Sequence, residues 1–265
     1  MSSRDARVGW SGAAYEAVSA PQHAWGKRVL ERLSLDGPAR VLDLGCGSGR
    51  VTRELLTRFP SASVTGVDVS PSMVEAARAA LLPEFDARLS LRVGDALSLG
   101  LRDLDAIVST ATFHWITDHA SLFGELIRAL RPGGRLVAQC GGEGNLDRLY
   151  GRARELDGAP AFAPWLATYV PPHLFASVAD TRARLSDAGF VDVEVWLSPE
   201  PTPFASRGAF VEFVRNVVVR HELAALPDEP ARAAYVDALA DAAASDVPPW
   251  ELDYVRLNLD ARRPA

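Results

Sequence analysis

Three carboxylates stand where they could share one polar ligand: Asp43, Asp68 and Asp95, each closing a short apolar run. Two residues after Asp43 comes Gly45-Cys46-Gly47-Ser48-Gly49, with glycine at alternate positions. Glycine lets a backbone turn at positive φ and lie against a ligand where any Cβ would collide. The helix that opens at Arg50 aims its first amides at the same place and favours a negative group there. Asp43 supplies the opposite charge. A ligand with both an α-carboxylate and an α-ammonium suits this pair better than a pyrophosphate does. Asp68 lies 23 residues beyond Gly45, a separation at which an acid can accept from both ribose hydroxyls. Asp95, in Val93-Gly94-Asp95-Ala96, is placed to accept from an adenine amino group. A dinucleotide loop of the form G-x-G-x-x-G would need glycine at position 50, where this chain has Arg.

Those acids can converge only if strands end side by side. Apolar runs predict strands at about 40–44, 63–67, 89–93, 105–110 and 134–139, with helical segments between them, the alternation of a parallel, doubly wound sheet. Trp25, Val29, Leu30 and Leu33 recur at helical spacing over about 22–33, and Asp36-Gly37-Pro38 ends that helix. Ser70-Pro71 reads as an N-cap with proline at the first helical position. Arg131-Pro132-Gly133-Gly134 stops a helix over 120–130. Later, Val191–Trp196 and Leu252–Leu259 alternate like strands, with roughly fifty residues between them.

Composition narrows the function classes. At 265 residues and 48% hydrophobic content, the chain can bury one full core and an elaboration. The net charge of −6 and the absence of a Lys/Arg block argue against a nucleic acid partner. No apolar run reaches transmembrane length and no leader is visible, so no membrane partner and a reducing cytoplasm are expected. Cys46 and Cys140 are far apart, and His and Cys do not cluster, so no metal is expected.

With its D-x-G-x-G loop, the acid after the second strand and Gly94-Asp95-Ala96, the chain resembles the class I S-adenosylmethionine (SAM) dependent methyltransferases. Phe113-His114-Trp115-Ile116-Thr117-Asp118-His119, Leu130–Gly134 and Leu185–Phe190 extend the resemblance to the trans-aconitate methyltransferase-like branch, from about Tyr15 onward. The resemblance implies SAM as cofactor, held by Asp43, Gly45, Cys46, Gly47, Gly49, Asp68, Val69, Met73, Asp95, Ala96 and Thr110. It implies a small-molecule methyl acceptor met by Tyr15, His114, Trp165 and Arg220, with His114 and Trp115 at the reacting end. A monomer or homodimer is expected. Transfer from a methyl sulfonium is an in-line displacement in which the protein mainly aligns the groups. A carboxylate acceptor, with a pKa of about 4, needs no base, whereas a hydroxyl or amine does. His114 can serve as base or as an orienting donor. The branch forms methyl esters of small carboxylic acids, which favours the donor. His114-Trp115 is more similar to the pair in juvenile hormone acid methyltransferases than to the Gln-Trp of trans-aconitate enzymes. Methylation of a hydroxyl or amine, and a SAM-binding protein without transfer activity, are the competing readings.

The implied fold is α/β: a doubly wound, Rossmann-like, seven-stranded, mostly parallel sheet with an antiparallel last strand and helical lid insertions over the cofactor face. The expected organisation is an N-terminal helical segment over 1–36, a SAM-binding core over 37–140, a helical elaboration over 141–190, and strands six and seven over 191–265. The insert between those strands, about 203–248, is expected to act as the lid. In it, Phe210, Phe213, Val214, Val217 and Val218 line one helical face. At 100° per residue Arg220 falls beside that stripe and Arg215 opposite it, so Arg220 is the better partner for an acceptor carboxylate.

Overall fold

The computed structural model describes residues 20–265. Its strands are β1 (Arg40–Leu44), β2 (Ser63–Asp68), β3 (Leu89–Val93), β4 (Leu104–Thr110), β5 (Leu130–Gly141), β6 (Val191–Pro203) and β7 (Glu251–Arg262). They form one sheet in the order β3-β2-β1-β4-β5-β7-β6. The first five are parallel, and β7 runs antiparallel to β5, from Arg135 opposite Arg262 to Gly141 opposite Arg256. This is the seven-stranded, mostly parallel arrangement expected.

The helices are α1 (Ala20–Glu31), α2 (Arg50–Arg58), α3 (Pro71–Phe85), α4 (His119–Ala129), α5 (Asp147–Asp157), α6 (Ala163–Leu166), α7 (Val178–Asp187), α8 (Arg207–Phe213), α9 (Arg220–Ala225) and α10 (Glu229–Ala243). Local chemistry starts them where it should. Ser70 Oγ accepts from the Met73 amide with Pro71 at the first position of α3, and Asp118 Oδ1 accepts from the Ser121 amide at the start of α4. Leu130 already pairs with Leu104, so Arg131–Gly134 bulges out of β5 as well as ending α4, with Gly133 at φ 74°.

Two compact units divide the described chain: one comprises 144–173 and 199–255, the other runs from 20 to 143 with 174–198 and 256–265. Within the sheet unit, Val29, Leu30, Leu55, Val74 and Leu81 cover one face over Val41, Ala106, Val108 and Val137. Leu122, Phe123, Leu126 and Leu185 cover the other over Leu42, Ile107, Leu136 and Leu257. Central strands covered on both sides read as unbroken apolar runs, which is why β1 and β4 stand out in the sequence.

The helical unit collects α5, α6 and α8 to α10. All five stripe residues from Phe210 to Val218 are buried. The continuous helix drawn through them is not what forms. After Phe213 the chain widens into a π turn over Val214–Val218, and Val219 at φ −100°, ψ 19° separates it from α9. A π turn shifts the phase of every later side chain, so 100° stepping no longer places Arg220. Arg215, expected opposite the stripe, pairs with Glu229 at the start of α10. Tyr235 donates to Asp157 at 2.9 Å, linking α10 to α5.

Candidate cofactor and acceptor site

The sheet unit gathers most of the marked residues at the C-terminal ends of β1, β2 and β4. The amides of Gly45 and Cys46 donate to Val67 O at 2.7 and 3.1 Å, folding the loop back over β2. Gly47 N donates to Asp68 Oδ2 at 2.9 Å and Ser70 N to Asp68 Oδ1 at 2.8 Å. Gly45 and Gly47 are needed for opposite reasons. At Gly45, φ 75°, a Cβ would lie 1.9 Å from Thr112 Oγ1, whereas at Gly47, φ 53°, no atom of the described residues lies within 4 Å. The first glycine lets the Thr112 side chain lie against the loop backbone; the second leaves open space. Gly49, at φ 91°, caps α2.

Asp43 is 1% exposed, and its Oδ2 accepts from Thr52 Oγ1 at 2.6 Å. Its Oδ1 has no hydrogen-bond partner among the described residues. Burial, opposed by the Thr52 bond and reinforced by the nearby charge of Asp68, pushes the carboxyl up to about 7. An orphaned buried carboxylate oxygen costs free energy unless something meets it. An ammonium group would do so, and it is the group that the resemblance implies. The cofactor fits these residues on that count. Asp68 is also raised by burial, opposed by the amides of Ser70, Gly47 and Val69. Its oxygens each retain a second lone pair for hydroxyl donors.

The remaining cofactor candidates differ in character. Val69 is 47% exposed beside Val93 at 48%, a pair of bare apolar side chains at the ends of β2 and β3. Met73, Ala96 and Cys46 are buried, and burial raises the Cys46 thiol, which removes thiolate chemistry from the loop. Asp95 is exposed and its Oδ1 accepts from Leu97 N at 3.0 Å, closing its own turn. Thr110 ends β4, and its carbonyl accepts from Thr112 Oγ1 at 3.0 Å.

On the acceptor side, a short 3-10 turn over Phe113–Trp115 follows β4 and holds His114, 8% exposed. The amide of Gly141 donates to His114 Nδ1 at 3.3 Å, and Leu174 N donates to His114 O at 2.8 Å. Trp115 and Phe175 flank the imidazole, with ring centroids 4.8 and 5.8 Å away. With Nδ1 accepting, a neutral ring carries its proton on Nε2. His119, at the head of α4, is instead bound through Nε2 to Phe113 O at 3.0 Å.

Trp165 is 44% exposed on α6 and Arg220 is half-buried at the head of α9, both in the helical unit, while Tyr15 lies outside the described residues. Sequence reasoning missed Thr52, Thr112, the Gly141 amide and Arg256. Arg256 is 2% exposed in β7, opposite Gly141, with its guanidinium 4.5 Å over the ring of Trp25. The available signal was an arginine alternating with Tyr254 and Asn258 while Val255, Leu257 and Leu259 between them are apolar. Among the described residues no group of three His, Cys, Asp or Glu is arranged to hold a metal, and no helix is long and apolar enough to cross a membrane.

Comparison with known proteins agrees with this geometry. Residues 42–138 match the methyltransferase domain family. The chain is 33% identical over 262 residues to a trans-aconitate 2-methyltransferase of Methylobacterium nodulans, covering 96% of this chain and 98% of that one. It is 34% identical over 208 residues to a malonyl-[acyl-carrier protein] O-methyltransferase of Geobacter sulfurreducens, covering 77% and 75%. Among solved structures, a phosphoethanolamine N-methyltransferase of Haemonchus contortus in complex with SAM superposes with a TM-score of 0.62 at 21% identity, over 96% of this chain and 57% of that one.

Proposed function

Since the chain belongs to the class I SAM-dependent methyltransferases, we propose that it esterifies a carboxylate of a small organic acid, and that His114 orients this carboxylate without taking a proton from it. The observation that carries this reading is the Gly141 amide on His114 Nδ1. A neutral imidazole whose Nδ1 lone pair is engaged has only an N–H to offer at Nε2, so it can donate but cannot act as a base. A hydroxyl acceptor would need that base; a carboxylate, ionised at neutral pH, needs only a donor and alignment.

Bound SAM supplies an electrophilic methyl group on a positively charged sulfur. Asp43 would meet the cofactor's ammonium, the Gly47 turn its methionine portion and Asp68 its ribose, with Val69 against the adenine. His114 Nε2 would hold one oxygen of the acceptor while the other oxygen faces the methyl group, and Trp115 and Phe175 would exclude water around the ring. The two sequence relatives are named for trans-aconitate and for malonyl-[acyl-carrier protein], which supports the same class here. Both cysteines are free and buried, which agrees with the reducing cytoplasm as the working compartment.

The test is product analysis. Protein, SAM and a panel of small acids, alcohols and amines are incubated, and methylated products are identified by mass spectrometry and by lability to base. Base-labile methyl esters from the acids are expected. Methyl ethers or N-methyl products from the alcohols or amines, with no ester, would overturn the reading.

A further inference from the structure

His119 takes no part in the methyl transfer itself, yet it is 3% exposed and both of its ring nitrogens are bonded. Nε2 lies 3.0 Å from Phe113 O, and Nδ1 lies 3.5 Å from Arg184 Nη1 on α7. These partners fix the tautomer. A carbonyl only accepts and a guanidinium only donates, so Nε2 carries the proton and Nδ1 keeps its lone pair. Burial holds the imidazole below its ordinary range, against the pull of the Phe113 carbonyl, and the charge of Arg184 lowers it further, so the ring is neutral at neutral pH. A guanidinium on Nδ1 also draws electron density from the ring and strengthens the N–H at Nε2.

What this bond holds is the peptide that enters His114. Phe113 O belongs to the planar unit whose nitrogen is His114 N, so fixing the carbonyl orients that whole plane. Within the 3-10 turn the same oxygen accepts from Ile116 N at 3.0 Å, and His119 fills its second lone pair. The plane that leaves His114 is held separately, by Leu174 N on His114 O at 2.8 Å. With both flanking planes fixed, the backbone of His114 is set, and Nδ1 comes within 3.3 Å of Gly141 N. Leu174 and Arg184 belong to one stretch, 174–187, which grips the turn at two points, once directly and once through His119. Phe123, one turn along α4, packs on the His119 ring at 5.6 Å and edge-on to Phe113 at 6.0 Å between centroids, which keeps the imidazole from swinging away. An apolar side chain could fill this volume; it could not hold the carbonyl.

We infer that His119 is a positioning residue for methyl transfer: through Phe113 O it sets the backbone of the turn that presents His114 to the acceptor, with Arg184 anchoring it in the donating tautomer. An in-line displacement depends on alignment, and a misplacement of about 1 Å can cost about 10²-fold in rate. The inference rests on His114 meeting the acceptor, as proposed above.

The experiment compares His119→Phe, which keeps the bulk and loses both bonds, with His119→Gln, which restores an N–H for the carbonyl and an oxygen for Arg184. Two-bond 1H–15N spectra of the histidine rings, recorded with S-adenosylhomocysteine bound, give a readout that needs no turnover. In wild type both His114 and His119 are expected as Nε2–H tautomers; His119→Phe should shift the ring nitrogens of His114, and His119→Gln should return them. Kinetics with SAM and trans-aconitate as the probe acceptor give the second readout. His119→Phe should lower kcat at least about tenfold with the KM for SAM within about twofold, and His119→Gln should stay within about threefold of wild type. In a His114→Ala background, adding His119→Phe should cost less than about threefold more, because its effect runs through His114. If His119→Phe does not fold, Arg184→Met carries the test, with a shifted His119 Nδ1 signal and a smaller loss of kcat. Variants that lower only the melting temperature, leave the His114 spectrum unmoved and cost the same factor with His114 present or absent overturn the inference. A wild-type protein that esterifies neither trans-aconitate nor any other acid overturns the carboxylate reading, and the spectra then decide on His119 by themselves.

Discussion

The amide of Gly47 donates to Asp68 Oδ2 across 2.9 Å, so the acid proposed for the ribose also pins the turn of the glycine loop. Removing that carboxylate therefore strikes twice. Asp68→Ala should weaken SAM binding by about 1.5–3 kcal/mol, the range for hydrogen bonds to a charged group. It should also lower the melting temperature of the ligand-free protein, because the Gly47 and Ser70 amides lose their acceptor. Calorimetry and thermal denaturation read the two effects separately. A melting temperature equal to wild type would show that the loop does not depend on Asp68.

Gly45 and Gly47 offer a sharper contrast. Gly45→Ala puts a Cβ 1.9 Å from Thr112 Oγ1 at positive φ, so the protein itself should be destabilised. Gly47→Ala meets no described atom within 4 Å, so it should cost only about 1 kcal/mol of backbone strain while SAM affinity drops far more. Equal melting temperatures for the two variants would refute the distinction.

Asp43 couples cofactor binding to pH. Its carboxyl, ordinarily at 3.8, is raised to about 7 by burial, so the empty site is largely protonated in mild acid. The ionised form is the one that meets an ammonium. Below about pH 6, SAM affinity should rise by nearly tenfold per pH unit, with close to one proton released on binding, and the slope should flatten through about pH 7. Calorimetry in buffers of differing ionisation enthalpy measures that proton. Affinity flat across this range, or a slope that survives in Asp43→Asn, would exclude Asp43 as the linked group.

His114 should behave as a donor. His114→Gln retains an N–H and should keep kcat/KM within about tenfold, while His114→Phe loses the bond to a charged oxygen, about 1.5–3 kcal/mol or 10- to 150-fold. Neither variant should change the shape of the pH profile above the pKa of the acceptor. A fall of 10³-fold or more in both variants, with a new pH limb, would restore general-base catalysis.

In the helical unit, Glu222 is 3% exposed and raised from 4.5 to about 7 by burial, against the bond from Tyr169, with Asp157 adding to the rise. The unfolded chain ionises first, so stability falls as pH climbs from about 4.5 to 7, and the loss persists above that. Glu222→Gln removes the titration and should raise the melting temperature at pH 8 more than at pH 5. The same shift at both values would mean that Glu222 ionises alike in the folded and unfolded chains.

What could be read from the chain was local. The loop after Asp43 and the acid after β2 are short patterns, and strands covered on both faces announce themselves as apolar runs. What escaped depends on register. The amide that fixes the tautomer of His114 comes from Gly141, 27 residues away, and only the pairing of β4 with β5 brings it there. Arg256 reaches Gly141 only through antiparallel pairing, which a strand pattern cannot specify. The π turn over Val214–Val218 carries no residue signature, because its valines fit a helical stripe equally well. Asp95 stands at the right strand end, yet its side chain accepts from its own turn, at Leu97 N.

Because β7 lies between β5 and β6, the last strand of the sheet to be synthesised fills an interior slot. Until it arrives, β5 and β6 both present open backbone edges, and an unpaired edge is a template for association with other chains. A nascent or truncated chain ending before Arg256 would hold every cofactor residue proposed here and yet be prone to aggregate. Completion of the sheet thus waits on residues 256–262, which makes the yield of soluble protein sensitive to damage there.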